Sequence, residues 1–265
     1  GIDYVNNTLL VEDVLDMITD MEDGRGGDAL YIVTTPYLSK EGDALTIDEV
    51  VDNIEDADID SSYAATYYPW VKYYDSRAKQ YIALPVTKDV LRNMAEIDTK
   101  SYPWFSPAGI SRGSVDCVRA LSNTVLSDED ALYSAMINPV KTFAKDGVKI
   151  WGNKTMYTVD SPLNRINVRR LMLRVKKLIS QACRSLIFEQ NDDTTKKQFL
   201  SIVQPILDDV KANRGISDYR ITVDSSAEAR DRHELPALIA IKPTPTLEYV
   251  DLTFKITPEG ASFDE

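Results

Sequence analysis

Two short runs of this 265-residue chain have residue types that can bind phosphate or calcium, and both runs match the corresponding motif only in part. The run Gly24-Arg25-Gly26-Gly27 follows a predicted helix and precedes a predicted strand. A phosphate-binding loop requires the opposite order, because the phosphate sits on the N-terminus of the helix that follows the loop. The alternating aspartates of residues 56–60 resemble the start of a calcium loop, but its sixth position is Ser61 rather than Gly and its twelfth is Tyr67 rather than Glu. The sequence therefore predicts an exposed acidic turn at 56–60 and no nucleotide or calcium site.

The histidine and cysteine residues also lack a chemical context. His233, the only histidine, lies in a polar loop without a nucleophile or a metal-ligand pattern near it, which predicts a surface residue. Cys117 and Cys183 are far apart, fall in helical apolar patterns and match no metal or redox spacing, so we expect structural thiols in a reducing compartment. Carboxylates are too abundant for any pair to be singled out as acid and base. We predict no catalytic, metal or cofactor-binding residue, and hence no enzyme.

The most distinctive segment is a basic one. Residues 164–188 carry seven basic side chains and no acidic one, although the formal net charge of the chain is −12. At about 100° per residue, the apolar side chains from Val168 to Leu186 fall in an arc of roughly 120°. This spacing predicts a helix with one face in a core and the other face positive. A merely solvated face is the alternative, because Lys and Arg are common exposed helix formers. The predicted basic face consists of Arg165, Arg169, Arg170, Arg174, Lys176, Lys177 and Arg184.

Charge is also distributed unevenly along the chain. Residues 1–60 contain 17 acidic and 2 basic side chains, a balance of −15, so the other 205 residues carry +3. Such asymmetry favours contacts with a nucleic acid, with a membrane surface, or between opposite poles of identical copies. A pI near 4.7 argues against nucleic acid, because binding there depends on neutralising phosphates. No apolar run is long enough to span a bilayer, so we expect no membrane insertion and take self-assembly as the simplest use.

Helix and strand patterns alternate without an internal repeat and predict a mixed α/β fold in two parts. An α/β domain over 1–115 is followed by a second domain over 116–265, with helices on a small, mostly antiparallel sheet; the resemblance given below implies that the first is the outer and the second the inner domain. Pro205 is expected to break or kink one helix, and Gly152-Asn153 is expected to form a hairpin turn. Predicted helices lie near 8–21, 46–57, 87–96, 109–125, 128–136, 164–186 and 199–215; predicted strands lie near 29–34, 63–74, 80–86, 148–151, 155–159, 219–224, 238–242 and 247–257.

The last predicted strand alternates cleanly between apolar and polar side chains. A half-buried terminal strand of this kind often lies at a sheet edge, where its backbone can pair with another chain. We therefore predict an inter-subunit strand, whose apolar face consists of Val250, Leu252, Phe254 and Ile256.

A series of short runs, taken together and in order, resembles the C-terminal part of contractile-phage tail sheath proteins, especially those of T-even-like myophages. Six such runs in sequence order over about 200 residues are specific, although each one alone is weak. The resemblance covers 61–265 well and 1–60 more loosely. The runs are Ser61-Ser62-Tyr63-Ala64 with Tyr68-Pro69-Trp70, Ser106-Pro107-Ala108-Gly109 with Arg112-Gly113, Ile137-Asn138-Pro139, Gly152-Asn153-Lys154-Thr155, Ser161-Pro162-Leu163-Asn164-Arg165-Ile166-Asn167-Val168-Arg169-Arg170-Leu171, and Gly260-Ala261-Ser262-Phe263-Asp264-Glu265.

The resemblance implies a C-terminal fragment of a longer sheath subunit, with its last part innermost on the tail tube. It implies hexameric rings stacked into a helical sheath, terminal arms exchanged between neighbouring copies, and contacts with the tail tube, baseplate and tail terminator proteins. The implied location is the virion, after assembly in the host cytoplasm. No cofactor and no nucleic acid are implied.

The basic face and the terminal strand then suggest two kinds of contact. Ion pairs between the basic face and an acidic tube or neighbour set orientation more than affinity, which suits a contact that slips during contraction. Strand addition supplies a durable joint. The alternatives are the sheath of a tailocin or secretion-type system, an α/β enzyme with a substrate-sized polar pocket, and a nucleic-acid-binding module that uses the basic helix.

Overall fold

The computed structural model describes residues 2–3, 8–39, 43–224, 226 and 232–248. Over these residues the fold is mixed α/β, as the sequence predicts. The helices are α1 (Val11–Thr19), α2 (Ile47–Glu55), α3 (Thr87–Lys100), α4 (Leu126–Ser134), α5 (Ile166–Ala182) and α6 (Asp193–Ala212). The strands are β1 (Ile2–Asp3), β2 (Thr8–Leu9), β3 (Tyr31–Thr34), β4 (Ala64–Tyr68), β5 (Val71–Asp75), β6 (Gln80–Leu84), β7 (Arg119–Ala120), β8 (Ile137–Phe143), β9 (Gly147–Ile150), β10 (Ile216–Val223) and β11 (Ala237–Pro243).

The central sheet has the strand order β3-β4-β8-β9, in which only the β8–β9 pair is antiparallel. Every residue of β4 is buried, because both faces of this central strand are covered. Helices α1, α2 and α4 cover one face through Val14, Ile54 and Leu132, which pack with Tyr68. Helix α3, the strand β5 and the start of α5 cover the other face, where Tyr67 is buried.

The four-stranded sheet takes strands from both sides of residue 115, since β4 pairs with β8. A boundary near 115 would divide this sheet, so the described residues do not support the predicted division at that position. The unit of helices on a small antiparallel sheet does exist, but it begins at α5. There α5 and α6 enclose a separate core with the hairpin β10–β11, to which Trp104 contributes from the preceding half of the chain.

The predicted helix over 109–125 is wrong. This segment runs in extended and turn conformations between two sheets, and the amide of Val115 donates to the carbonyl of Val148 at 3.0 Å. Gly113 explains the difference, because a Cβ on it would lie 2.6 Å from the carbonyl oxygen of Ile150. The backbone is therefore committed to pairing with β9, and Cys117 lies half-buried in an irregular segment.

The predicted hairpin around Gly152-Asn153 is also wrong. The hairpin joins β8 to β9 through a turn at 144–146, and β9 begins at Gly147, where φ is +73°. Gly152 is small for another reason, since a Cβ on it would lie 2.6 Å from the side-chain oxygen of Asn138. The glycine is needed for this tertiary contact rather than for a turn.

Pro205 does not break its helix, and α6 runs without interruption from Asp193 to Ala212. The proline is exposed, whereas Phe199, Val203 and Leu207 on both sides of it are buried in one core. Packing of the buried face outweighs the cost of about 3 kcal/mol that an interior proline imposes on a helix.

Asn138 joins three segments of the central sheet. Its side-chain nitrogen donates to the carbonyls of Thr66 at 2.9 Å and Lys154 at 2.7 Å, and its oxygen accepts from the amide of Lys154 at 2.7 Å. Because Asn138 is fully buried, its removal leaves backbone groups without partners.

We expect Asn138→Ala to lower the free energy of unfolding by about 3 kcal/mol, at roughly 1 kcal/mol for each lost hydrogen bond. Exposed Asn123 provides the control, and Asn123→Ala is expected to stay within about 0.5 kcal/mol of the parent. Urea denaturation of the three proteins measures the difference. Equal midpoints for Asn138→Ala and the parent would contradict the structural role of this side chain.

Candidate intermolecular interface

Helix α5 carries the predicted basic face, and the structure confirms a helix from Ile166 to Ala182 followed by a 3-10 turn from Cys183 to Leu186. Its start is fixed by the backbone, because the amide of Ile166 donates to the carbonyl of Asn153 at 2.9 Å. Ile166 packs in the core under the central sheet, whereas Leu171 and Val175 pack in the core with α6. One helix thus contributes to two cores, and this determines where each of its cations lies.

Arg169 lies inside the protein, with 8% of its surface exposed. Its guanidinium carbon lies 3.9 Å from the ring centroid of Tyr63, and it donates a hydrogen bond to the hydroxyl of Ser62. Burial lowers the pKa of Arg169 from its ordinary value, and the tyrosine ring supplies the compensating cation–π contact. The side chain therefore holds α5 against the start of β4.

Arg170 is buried as well, with 7% exposure. It donates to a carboxylate oxygen of Asp98 at 2.6 Å and to the carbonyl of Met94 at 3.2 Å, both on α3. Burial lowers the pKa of Arg170, and the attraction of Asp98 opposes this shift. The ion pair holds α5 against α3.

The prediction that Arg169 and Arg170 belong to an exposed basic face is therefore wrong. Residues 166–171 are buried on all sides of the helix, because β4 and α3 cover the flank that the apolar spacing assigns to solvent. Helical periodicity places a residue on a flank, but it does not tell whether another element covers that flank.

Arg165 is also committed within the chain. Its Nε lies 2.7 Å from a carboxylate oxygen of Glu248, whose other oxygen accepts from the hydroxyl of Tyr133 at 2.9 Å. Lys154 lies over the Tyr133 ring at 4.2 Å and donates to the Tyr133 carbonyl at 2.6 Å. Burial lowers the pKa of Lys154, with a further contribution from the positive charge of Arg165. This cluster fastens the segment that leaves β11 to α4 and to the start of α5.

The later half of α5 is different, because its cations reach solvent. Lys176 donates to the carbonyl of Gly26, so part of the acidic first sixty residues already lies beside this helix in the same chain. Lys177 contributes to lowering the pKa of Asp28, after the larger effect of Arg25. Arg174, Lys177 and Arg184 are exposed. Within the described part of the chain, the side chains of Arg174 and Arg184 form no ion pair or hydrogen bond.

The predicted inter-subunit strand with Val250, Leu252, Phe254 and Ile256 lies outside the described residues. The chain leading to it comes from the hairpin β10–β11, a two-stranded antiparallel sheet. Ile221 and Ile239 on the inner face of this hairpin pack against the α6 core. Neither outer edge of the hairpin pairs with another strand of the described residues.

Comparison with known proteins identifies the family. Residues 158–257 match the phage tail sheath C-terminal domain. The chain is 34% identical over 220 residues to the tail sheath protein of Vibrio phage KVP40, covering 82% of this chain and 32% of that protein. This chain is a member of the phage tail sheath family. The tail sheath protein of Enterobacteria phage T4 is likewise 34% identical over 215 residues, which is 78% of this chain and 32% of that protein.

The sheath fold itself also has a solved counterpart. The PVC sheath complex of an extracellular contractile injection system, in its contracted state, superposes with a TM-score of 0.72 at 19% identity, over 84% of this chain and 63% of that one. At this identity the comparison concerns the fold. The chain spans about one third of the length of the curated sheath proteins it matches.

The runs by which the chain resembles sheath proteins consist largely of residues that join elements. Asn138 and Gly152 fit against each other at the central sheet, as described above. Asn153 donates to the side-chain oxygen of Asn167 at 2.8 Å, and Asn167 in turn donates to the carbonyl of Trp104 at 3.3 Å. Sequence reasoning recognised these runs by their order but assigned no contacts to them, since asparagines of this kind have no periodicity.

The residue types of chemical interest occupy structural or exposed positions. His233 is exposed, as predicted, and the aspartates of residues 56–60 are exposed too. Within the described ranges, no three acidic, histidine or cysteine side chains are grouped so that they could hold a metal ion. No helix among the described residues has the length and apolar character to cross a membrane. Burial raises the pKa of the Cys117 thiol to about 11, with Asp89 and Asp116 acting in the same direction.

We expect the buried Arg169 and Arg170 of this sheath domain to stabilise the fold and the exposed Arg174 to contribute little. Arg170→Met leaves Asp98 without its partner and is expected to lower the free energy of unfolding by about 2 kcal/mol. This loss is smaller than that from breaking a fully buried ion pair, because Asp98 is half exposed. Arg169→Met should have a similar effect of about 2 kcal/mol. Arg174→Met, the matched control, should change it by about 0.5 kcal/mol or less. Chemical denaturation provides the measurement, and equal destabilisation by all three would contradict the burial described here.

The thiol of Cys117 should react slowly. With a pKa of about 11, about one thiol in a thousand is ionised at pH 8, and the thiolate is the reactive form. The alkylation rate by iodoacetamide in a Cys183→Ala background should therefore rise about tenfold per pH unit from 8 to 10, while free cysteine levels off near pH 9. A rate that is already constant above pH 8 would contradict a raised pKa.

Proposed function

We propose that this chain is the inner, C-terminal part of a contractile tail sheath subunit, which polymerises around a tail tube and contracts to drive the tube through the host envelope. The observation that carries the proposal is the 34% identity to two phage tail sheath proteins, together with the family match over 158–257. The fold likeness to a contracted injection-system sheath supports a contractile assembly. The identity to the injection-system sheath is 19%, lower than the 34% identity to the phage protein, and this difference favours a phage tail over a tailocin or secretion-type system. The proposed role is structural, because the relatives are tail sheath proteins.

The partners proposed for this subunit are other copies in stacked hexameric rings, the tail tube, and the baseplate and tail terminator proteins at the two ends. The proposed location is the virion tail, with assembly in the host cytoplasm. The names of the relatives support the tail location. The work of contraction would come from surface buried between subunits rather than from a hydrolysed nucleotide.

The contact that slips is proposed to use the exposed cations of α5. Arg169 and Arg170 drop out of this surface, because they are committed to Tyr63 and Asp98. Arg174, Lys177 and Arg184 remain, and an acidic tube or a neighbouring copy would complement them. Exposed charge pairs of this kind govern orientation and encounter more than affinity, so they can be exchanged as subunits move.

The durable joint is proposed to be strand addition at the hairpin β10–β11. A two-stranded sheet is marginal alone, and a third strand would pair with one of its outer edges. The segment with Val250, Leu252, Phe254 and Ile256 has the alternation that such a strand needs. In this arrangement one copy lends the strand and its neighbour provides the hairpin.

The slipping contact is tested by charge reversal in the full-length protein. Arg174→Glu, Lys177→Glu and Arg184→Glu together should leave fewer than about one tube in ten sheathed, because like charges then face each other across the interface. The matched control replaces three exposed lysines elsewhere, Lys79, Lys145 and Lys197, by Glu. Electron microscopy of tails counts sheathed and bare tubes.

The outcomes separate the two parts of this proposal. Normal extended sheaths from the charge-reversed protein would contradict the role of α5 but not the sheath function. Failure of the unaltered protein to form sheaths with its tube would contradict the function itself. The variant could still assemble into hollow sheaths by itself but fail to cover a tail tube. That result would assign the α5 surface to the contact with the tail tube.

A further inference from the structure

An aromatic side chain in the turn that follows α5 is left uncovered by the described residues. Phe188 is 100% exposed, and its φ of +74° lies in the left-handed region that aromatic residues seldom adopt. The turn that holds it is hydrogen-bonded: the amide of Ile187 donates to the carbonyl of Arg184 at 3.3 Å, and that of Glu189 donates to the carbonyl of Leu186 at 3.2 Å. We name Arg184, Ile187 and Phe188 the aromatic knob.

The exposure of this knob has a physical cost that a partner would remove. Ile187 is 62% exposed beside the phenyl ring, and burial of apolar surface is favourable by about 25 cal/mol per Å². A strained, hydrogen-bonded backbone at an exposed aromatic residue is a reason to look for a binding role.

A pocket of matching character lies at the acidic pole of the same chain. It has a volume of about 240 Å³, and a cavity of about 150 Å³ is enough to hold benzene. Its floor includes Ile54, Ile59 and Met156, all buried. The charged residues that line it are all acidic and exposed, namely Glu55, Asp58 and Asp60. We name this the acid-rimmed pocket.

The knob and the pocket complement each other in apolar character and in charge. The knob presents an apolar ring with the cation of Arg184, which has no ion-pair partner among the described residues, in the same turn. The pocket presents an apolar floor with carboxylates at its edge. Arg174 and Lys177 extend the positive surface back along α5, while Glu189 is the one acidic residue directly next to the ring in sequence. Because Phe188 is fully exposed in the single chain, it does not occupy the pocket of its own copy.

We propose that Phe188 of one copy inserts into the acid-rimmed pocket of a second copy, with Arg184 paired to the carboxylates of Glu55 and Asp58. Since the two surfaces differ, the contact is heterologous, and it repeats from copy to copy as a ring or a helix. The inference rests on the proposed sheath function, in which copies assemble side by side, and it names one surface on each side of that assembly.

Site-directed cross-linking tests the contact in assembled particles of the full-length protein. The background carries Cys117→Ala and Cys183→Ala, so that no native thiol takes part. Phe188→Cys is combined with Ser134→Cys, because Ser134 lines the pocket and is exposed. Mild oxidation should then give a ladder of covalent dimers, trimers and larger species on a denaturing gel.

The controls decide between the outcomes. Each single cysteine alone, and Phe188→Cys paired with exposed Ser201→Cys on α6, should give no ladder. Assembled particles that give no ladder with the Phe188 and Ser134 pair would overturn this proposal and leave the sheath function intact. A cross-link from Phe188→Cys to the tube protein instead of to a second copy would also overturn it. If the unaltered protein forms no particles, both proposals fail.

Two further variants measure the apolar and the charged parts of the contact. Phe188→Ala should raise the protein concentration needed for assembly by about tenfold, as expected for a central aromatic anchor, whereas Leu91→Ala, at another exposed apolar residue, should leave it unchanged. Arg184→Glu should weaken assembly, and Glu55→Lys with Asp58→Lys in the same chain should restore it. Weakening without restoration would contradict the pairing of these charges.

Discussion

The cost of burying an unpaired charge determines how α5 is placed. Two adjacent arginines enter the interior at the first turn of this helix, and each is accommodated only because a neighbouring element supplies a partner. The Tyr63 ring with Ser62 receives Arg169, and Asp98 receives Arg170. A shift of the helix would break contacts to β4 and α3 together. The position of α5 in turn fixes the core shared with α6 and the hairpin β10–β11, so the unit formed by these elements depends on this pair of contacts.

Regular elements with an apolar stripe were predictable from the sequence, because burial of one face imposes a period on the chain. Helix α2 is an example: Thr46 and Glu49 form the capping box that their types and spacing suggest. Residues 109–125 were not predictable, since the position of Gly113 is set by the carbonyl of Ile150, a partner 37 positions away. Likewise, nothing local in the sequence shows that the flank carrying Arg169 and Arg170 is covered, because Tyr63 and Asp98 are distant in the chain.

The exposed cations that remain after this correction are Arg174 and Lys177 in the later half of α5, on either side of Lys176, and Arg184 in the turn that follows the helix. The helix therefore divides into an inner half, in which positive charge is neutralised inside the chain, and an outer half, in which it is available. One acidic residue of the first sixty, Asp28, also lies close enough to Lys177 for its pKa to be lowered by that cation, after the larger effect of Arg25.

A subunit that shortens an assembly without dissociating would need contacts of two strengths, and the proposed function assigns these contacts to two different regions of the chain. Backbone pairing at a hairpin edge is directional and costly to break. Exposed ion pairs, of the kind proposed for the later half of α5, are weak and tolerant of displacement. Glu248 lies between these regions: it is 16% exposed, holds Arg165 and Tyr133 together, and anchors the chain where it leaves the hairpin for the C-terminal segment. This anchor is fixed to α4 and α5 rather than to the hairpin. If the C-terminal strand pairs with a neighbouring subunit, the point at which it leaves its own subunit would therefore move together with α4 and α5. The strand itself would move with the neighbouring subunit.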